Sequence, residues 1–155
     1  MLTFPEALKE AGNKVLQFTG RSRRSEYWWT QLLVYGLSLI LTPLAGAVLD
    51  LFTIPLTFRR LHDTGHSGWW VGGLLILKTA FVLMIIVDLI VIFATNGDVP
   101  WTLWGFIAKY WLLFTVILIY QIALIIMCCV DSEKFTNQYG PAPKYVEVDE
   151  TNESM

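Results

Sequence analysis

Two long apolar runs leave this chain few folds to adopt. VGGLLILKTAFVLMIIVDLIVIFAT fills residues 71–95, and WTLWGFIAKYWLLFTVILIYQIALIIMCCV fills residues 101–130. One helical crossing of a bilayer needs about 20 apolar residues. Runs of this length indicate membrane helices rather than the core of a soluble domain. The composition agrees. Charged residues make up 15% of the chain, where a soluble domain carries about a quarter. The many Trp, Tyr and Phe suit aromatic belts at the two membrane surfaces. Between the runs, NGDVP (96–100) has the composition of a turn. The runs therefore read as an antiparallel helical hairpin.

The first half is less regular. WWTQLLVYGLSLILTPLAGAVLDLFTIPLTF (28–58) is apolar but interrupted by Pro43, Gly46, Asp50 and Pro55. Its 31 residues lie between the roughly 20 that one span needs and the roughly 40 of two. Charge helps decide. Arg21, Arg23 and Arg24 precede the run, and Arg59 and Arg60 follow it. Basic clusters stay on the cytoplasmic side, which requires an even number of crossings. A hairpin of two short helices turning near Thr42–Gly46 satisfies this. A single tilted span, with the clusters on opposite sides, is the alternative.

The N-terminal stretch TFPEALKEAGNKVLQF (3–18) places Phe4, Ala7, Leu8, Ala11, Val15 and Phe18 at helical spacing. Thr3 with Glu6 forms a capping box, and Gly20 is the expected stop. No cleavable signal is expected, because the first fourteen residues hold acids and lysines and no apolar stretch. The expected fold is all-α and polytopic. An amphipathic helix precedes four transmembrane helices near 28–43, 46–60, 70–95 and 101–130, arranged as two antiparallel hairpins. Residues 1–143 form one membrane domain, and the acidic residues 144–155 form a disordered tail. Both termini are expected in the cytoplasm. Trp28, Trp29, Trp69 and Trp70 mark the inner interface, and Trp101 and Trp104 the outer one.

Charges inside the membrane need partners or a route to its surface. Folding the second hairpin about Asp98 brings Asp88 and Lys109 to nearly equal depth, so an ion pair between them is expected. Lys78 lies near the cytoplasmic end and is free to snorkel, or to meet Tyr120 or Gln121. The adjacent Cys128 and Cys129 offer no disulfide framework and read as thiols.

The densest polar block is RRLHDTGHSGWW (59–70). His62, Asp63 and His66 invite a metal reading, with Glu26 as a fourth ligand. Gly65 breaks the helix that would align the histidines, however, and the chain has no third histidine. A triad through Ser67 lacks a nucleophile elbow. The preferred reading is a cytoplasmic turn with no metal, cofactor or catalytic residue. In it, Arg59 and Arg60 face phosphates or carboxylates, with Glu26 and Asp63 as candidate partners. Asp63 accepts from Thr64 or nearby amides, Gly65 and Gly68 reverse the chain, and Trp69 and Trp70 seat the next helix. FTNQYGPAP (135–143) lies over the same face through Tyr139 and Pro141.

Three blocks in this order, FTGRSRRSEYWW, FRRLHDTGHSGWW and FTNQYGPAP, resemble the bacterial membrane family known as domain of unknown function 805. The resemblance covers roughly residues 15–143. Its motif residues fall on Gly20, Arg21, Arg24, Glu26, Tyr27, Trp28, Arg59, Arg60, Leu61, His62, Asp63, Ser67, Trp69, Trp70, Asn137, Tyr139, Gly140 and Pro143. The resemblance implies a small helical inner-membrane protein and no established activity. The chain departs from the family pattern in the near absence of a connection between its first two spans. Its last hairpin is also longer, with intramembrane Lys and Asp. The functional expectation is a non-enzymatic module whose Arg, Glu, His, Asp and Trp cluster binds a protein partner or anionic lipid. The alternatives are an oligomeric transporter or channel subunit using Asp88 and Lys109, and a lipid-acting enzyme using His62 and Asp63. Membrane lipids are the expected partners, with a partner protein or a second copy besides, and no nucleic acid.

Overall fold

The computed structural model describes residues 2–41, 43–95 and 103–144. Among these the regular elements are helices α1 (Phe4–Asn13), α2 (Arg24–Ile40), α3 (Pro43–Asp63), α4 (Trp69–Ala94) and α5 (Leu103–Cys129). An isolated antiparallel bridge joins Asn137 and Gly140. The turn expected at 96–100, the Trp101 marker and residues 145–155 of the acidic tail lie outside the described residues. The chain divides into two compact units, residues 1–71 with 126–155, and residues 72–125.

In the first unit, α1 packs on α2 and α2 on α3. The capping box starts α1, with the Thr3 amide donating to Glu6 Oε2 at 2.8 Å. The hydrogen bond to Thr3 holds the Glu6 carboxyl below its ordinary pKa. The helix buries Ala7 and Ala11. It ends at Asn13, well short of the residue 18 expected from periodicity. Gly12 and Asn13 are weak helix formers, and three-residue turns follow, from Lys14 N to Ala11 O and Val15 N to Gly12 O. Phe18 therefore leaves the helical stripe and meets the Phe58 ring edge-on at 5.3 Å.

Helix α2 begins at Arg24, four residues before the apolar run. Glu26 in its first turn complements the helix dipole. The chain reverses at Leu41, and Pro43 opens α3, where a missing N–H costs nothing. Pro43–Gly46, expected in the turn, belong to α3 instead, and Thr42 lies outside the described residues. A Cβ on Gly46 would lie 3.0 Å from Ser38, and at the other end Arg59 meets Glu26 at 3.2 Å. Contacts that rise on one helix as they fall on the other make α2 and α3 an antiparallel hairpin. At about 1.5 Å per residue, α2 is about 25 Å long and α3 about 31 Å.

The second unit holds most of α4 and α5. Trp69–Ala94 and Ile107–Cys129 are both long and apolar enough to cross a membrane. Only 6% and 11% of their apolar windows are buried in the protein, whereas the core helix of a soluble protein would be largely covered. Tyr120 lies against Gly73, Phe81 against Tyr110 at 5.6 Å, and Asp88 against Lys109. These pairs also run in opposite directions, so α4 and α5 are antiparallel.

Candidate functional site

The site is built where α3 stops. Gly65 has φ +76° and occupies the left-handed position of a Schellman stop. Its amide donates to His62 O at 3.2 Å, and the His66 amide donates to Leu61 O at 2.9 Å. Gly68 passes so close beneath the Phe58 ring that a side chain there would collide with it. These two glycines turn the chain sharply, and the turn leaves Asp63 at a fully buried position.

Asp63 is the centre of the polar layer. Its Oδ1 accepts from Arg21 Nε at 2.9 Å. Its Oδ2 accepts from Arg60 Nη1 at 2.5 Å and from the Ser132 hydroxyl. Arg21 then spends its remaining donors on main-chain oxygens. Nη1 reaches Phe135 O at 2.9 Å and Gly140 O at 3.3 Å. Nη2 reaches Glu133 O at 2.7 Å and Asp63 O at 3.2 Å. Every N–H of this guanidinium has an acceptor, which only a planar five-donor fork can achieve. Arg60 donates likewise to Cys128 O at 3.0 Å, to Ser22 O at 3.4 Å and to Val130 O. The two arginines thereby clamp the segment after α5 onto the end of α3.

Arg59 faces the other way, onto Glu26 Oε1 at 3.2 Å, with both side chains almost wholly buried. Of the two kinds of partner expected for Arg59 and Arg60, phosphates or carboxylates, the structure supplies carboxylates, the Glu26 and Asp63 brought forward from the sequence, and the two arginines are 1% and 0% exposed. Asp63 serves two guanidinium groups and a hydroxyl instead of Thr64, whose own hydroxyl donates back to Leu61 O at 3.0 Å.

His62 and His66 do not converge. The His62 ring stacks on Tyr139, with centroids 3.8 Å apart and planes 5° from parallel, and its Nδ1 lies 3.1 Å from Gly20 O. Burial pushes the His62 pKa down, partly opposed by that backbone contact. His66 Nδ1 lies 3.1 Å from the Thr64 hydroxyl. Among the described residues no three His, Cys, Asp or Glu side chains gather as a metal-holding group. Asn137 donates to His62 O at 2.9 Å and to Glu133 Oε2 at 2.6 Å, and accepts from the Tyr139 amide at 2.9 Å. It thus holds the turn that carries Tyr139 and Gly140.

The remaining motif residues frame this layer. Tyr27 is buried and meets the exposed Trp28 edge-on at 5.2 Å. Arg24 Nη1 reaches Cys129 O at 3.5 Å. Ser67 Oγ accepts from the Trp69 amide at 3.3 Å, opening α4, while Trp69 and Trp70 face outward. The sequence reading missed Ser132 and Glu133. Their only signal is position, in the polar stretch that Asp131 opens after the last apolar run. Nearby, a hydrogen bond from Lys144 at 3.0 Å holds the exposed Asp131 carboxyl below its usual pKa.

The intramembrane acid lies in the second unit. Lys109 Nζ donates to both Asp88 oxygens, at 2.7 and 2.6 Å. The Tyr110 hydroxyl donates to Asp88 as well, and lies 3.2 Å from Met84 O. Lys78 is exposed.

Comparison with known proteins agrees with this arrangement. The profile of a family described as "Protein of unknown function (DUF805)" matches residues 35–141, taking in α3, the RRLHD turn and the Asn137–Gly140 bridge. The match starts after GRSRRSEYWW. Two curated relatives, the "Inner membrane protein YhaH" of Escherichia coli K12 and that of Escherichia coli O157:H7, are each 34% identical over 87 residues, covering 44% of this chain and 72% of theirs. No solved structure matches. With its all-helical fold and its RRLHD turn, the chain belongs to the DUF805 family of membrane proteins.

Proposed function

We propose that this protein is a multi-pass component of the bacterial inner membrane. In this reading it crosses four times as two hairpins with both termini cytoplasmic, and its cytoplasmic polar layer is a non-enzymatic module that docks on anionic lipid headgroups. The observation that carries this reading is the division of labour among the basic residues. Arg21, Arg59 and Arg60 are buried on protein acceptors, so they build a rigid plate. Lys9, Lys134 and Lys144 stay exposed, with the exposed ring of Phe135 next to Lys134 and the rings of Trp28, Trp69 and Trp70 exposed as well. Cations beside amphipathic rings suit a headgroup layer, where each cation near an anionic surface gains about 1 kcal/mol. Location in the inner membrane is supported by the name of the Escherichia coli relatives and by the two long apolar helices. Catalysis is disfavoured because Asp63 has three donors on its carboxylate and the His62 ring is stacked and bonded. A second reading, an oligomeric transport subunit, draws on one observation: the Lys109 side chain beside Asp88 is 44% exposed within an apolar helix.

Reporter fusions at Asp98 and at Glu153 test the topology. The expected result is a periplasmic reporter at Asp98 and a cytoplasmic one at Glu153; a periplasmic Glu153 overturns the four-span reading. Melting in nanodiscs tests the docking. Phosphatidylglycerol is expected to stabilise the protein over phosphatidylcholine, with the difference shrinking in high salt. Equal melting in both lipids removes the headgroup role.

A further inference from the structure

We propose that the loop between α1 and α2, residues 14–23, is an interfacial anchor that seats Leu16 and Phe18 in the cytoplasmic leaflet of the bilayer, at the depth of Trp69. The inference rests on the reading of α4 as a membrane span, and not on the docking of anionic headgroups. Its partner is the boundary between headgroups and acyl chains. Phosphatidylcholine offers that apolar surface as well as any anionic lipid does.

Leu16 belongs to no helix, and it is 78% exposed. A single exposed leucine on a water-facing surface needs no explanation. This one is part of a patch. Two residues on, the exposed Phe18 ring meets Phe58 edge-on at 5.3 Å, and Phe58 meets Trp69 at 6.3 Å. The three rings lead from the loop to the first residue of α4, and Trp69 is as exposed as Leu16. Helix α4 is long and apolar enough to cross a bilayer. Its first residue therefore stands where hydrocarbon gives way to headgroups, the level at which tryptophan is enriched. An apolar patch continuous with that boundary gains by facing lipid.

The loop is held at this depth. The Ser22 amide donates to Arg59 O at 3.1 Å, and His62 Nδ1 lies 3.1 Å from Gly20 O. Both contacts tie the loop to the last turns of α3, next to Phe58. Gly68 in turn leaves no room for a side chain between itself and that ring. Lifting Phe18 off the boundary would therefore undo contacts that close the polar layer.

Helix α1 shows the complementary pattern. At its start Phe4 meets Trp29 edge-on at 5.6 Å, and both rings are exposed. Ala7 and Ala11 are buried, while the exposed Glu6, Lys9 and Asn13 are polar. Exposed apolar groups thus flank the helix at its two ends, and a wet surface lies between them. Such a segment suits a place along a membrane surface rather than across it.

The experiment reads depth site by site on the full chain in phosphatidylcholine nanodiscs. Cys129→Ser removes the exposed thiol, and Cys128 is buried, so a nitroxide attaches only at an introduced cysteine. Leu16→Cys, Trp69→Cys and Lys9→Cys are labelled in turn, each at an exposed position. Collisions with oxygen, which concentrates in lipid, are compared with collisions with a water-soluble nickel chelate. The oxygen-to-nickel ratio at Leu16 is expected to match that at Trp69 and to exceed that at Lys9 several-fold. A Leu16 ratio equal to that of Lys9 overturns the proposal. So does exclusion of both reagents at Leu16, which would place a second copy or another protein over the loop. A Trp69 ratio equal to that of Lys9 sinks the reading of α4 as a span, and the anchor with it. Equal melting in phosphatidylglycerol and phosphatidylcholine ends the headgroup reading alone. The anchor then stands on its own ratios, which are measured without anionic lipid.

Discussion

Charged groups are handled in opposite ways at the two ends of this protein's chemistry. Around Asp63 the charges are sealed: two guanidinium groups, a hydroxyl and a ring of main-chain oxygens satisfy one another with almost no exposure. Around Asp88 the acid is sheltered while its lysine is 44% exposed, within a hairpin whose apolar surface is nearly all uncovered. The first arrangement spends side chains on fixing chain segments that are distant in sequence. The second neutralises one acid between two neighbouring helices. Lysine on a flexible stem suits the second task, and the planar, always-charged arginine suits the first. The comparison predicts that breaking the sealed group will cost far more than breaking the open one.

The largest effect is expected at Asp63. Asp63→Asn keeps the shape but leaves Arg21 and Arg60 buried without their anion. It also turns an amide N–H toward one of the two guanidinium groups, which can only donate. Removing one partner of a buried charge pair costs about 3–5 kcal/mol. Both arginine side chains are at most 1% exposed, so water cannot step in. The variant should melt far below wild type in detergent, or fail to accumulate, and the segment 132–143 should become sensitive to protease. Melting close to that of wild type would show that the main-chain acceptors alone hold the arginines, and would dissolve the contrast drawn above.

How much of this was readable in the sequence follows the range of the interactions. The helices α4 and α5 were legible because their signal is local, an unbroken apolar run. The carboxylates Glu26 and Asp63 could be brought forward as partners for arginines because opposite charges in a greasy chain have few alternatives. Arg21 could not be recognised as the residue that ties residues 133–140 to Asp63. Four of its five acceptors are main-chain oxygens, and a backbone carbonyl has no signature in sequence. Ser132 was missed for a similar reason, since a lone serine after a helix ordinarily ends in water. The early stop of α1 was signalled by Gly12 and Asn13 but outvoted by periodicity at Val15 and Phe18, which lie beyond the helix, Phe18 against the Phe58 ring. Arg59 and Arg60 could be paired with carboxylates from the sequence, but the depth of their burial depends on a tertiary arrangement that composition does not encode.

A smaller effect is expected at the open pair. Asp88→Asn should cost about 1 kcal/mol, in the range of polar contacts between membrane helices, because Lys109 can turn its ammonium toward the membrane surface. Lys109→Met leaves Asp88 with the Tyr110 hydroxyl, and the double variant removes both charges at once. Comparing the three by melting in the same detergent isolates the coupling. A positive coupling is expected, with the double variant more stable than the sum of the single losses predicts. Strict additivity would mean that the two side chains do not sense each other.

The smallest effect concerns His62, at the rim of the sealed layer. Burial lowers its pKa in the folded protein below the free value of 6.5. The unfolded chain therefore takes up the proton first as pH falls. Between 6.5 and the lower folded value, the unfolded state binds more protons, so stability rises with pH in that window and declines on acidification. The ring is only partly buried, and solvent screens much of the shift. The expected loss of melting temperature between pH 7.5 and pH 5.5 is therefore about 2 °C at most. Protonation also turns Nδ1 into an obligatory donor. That suits Gly20 O at 3.1 Å, so the stack on Tyr139 survives while the desolvation cost grows. His62→Gln removes the titration and should flatten the curve over this window, leaving Asp63 and its arginines in place. A variant that keeps the full slope assigns the acid sensitivity elsewhere in the layer, and the division between a sealed centre and a titratable rim would then have to be redrawn.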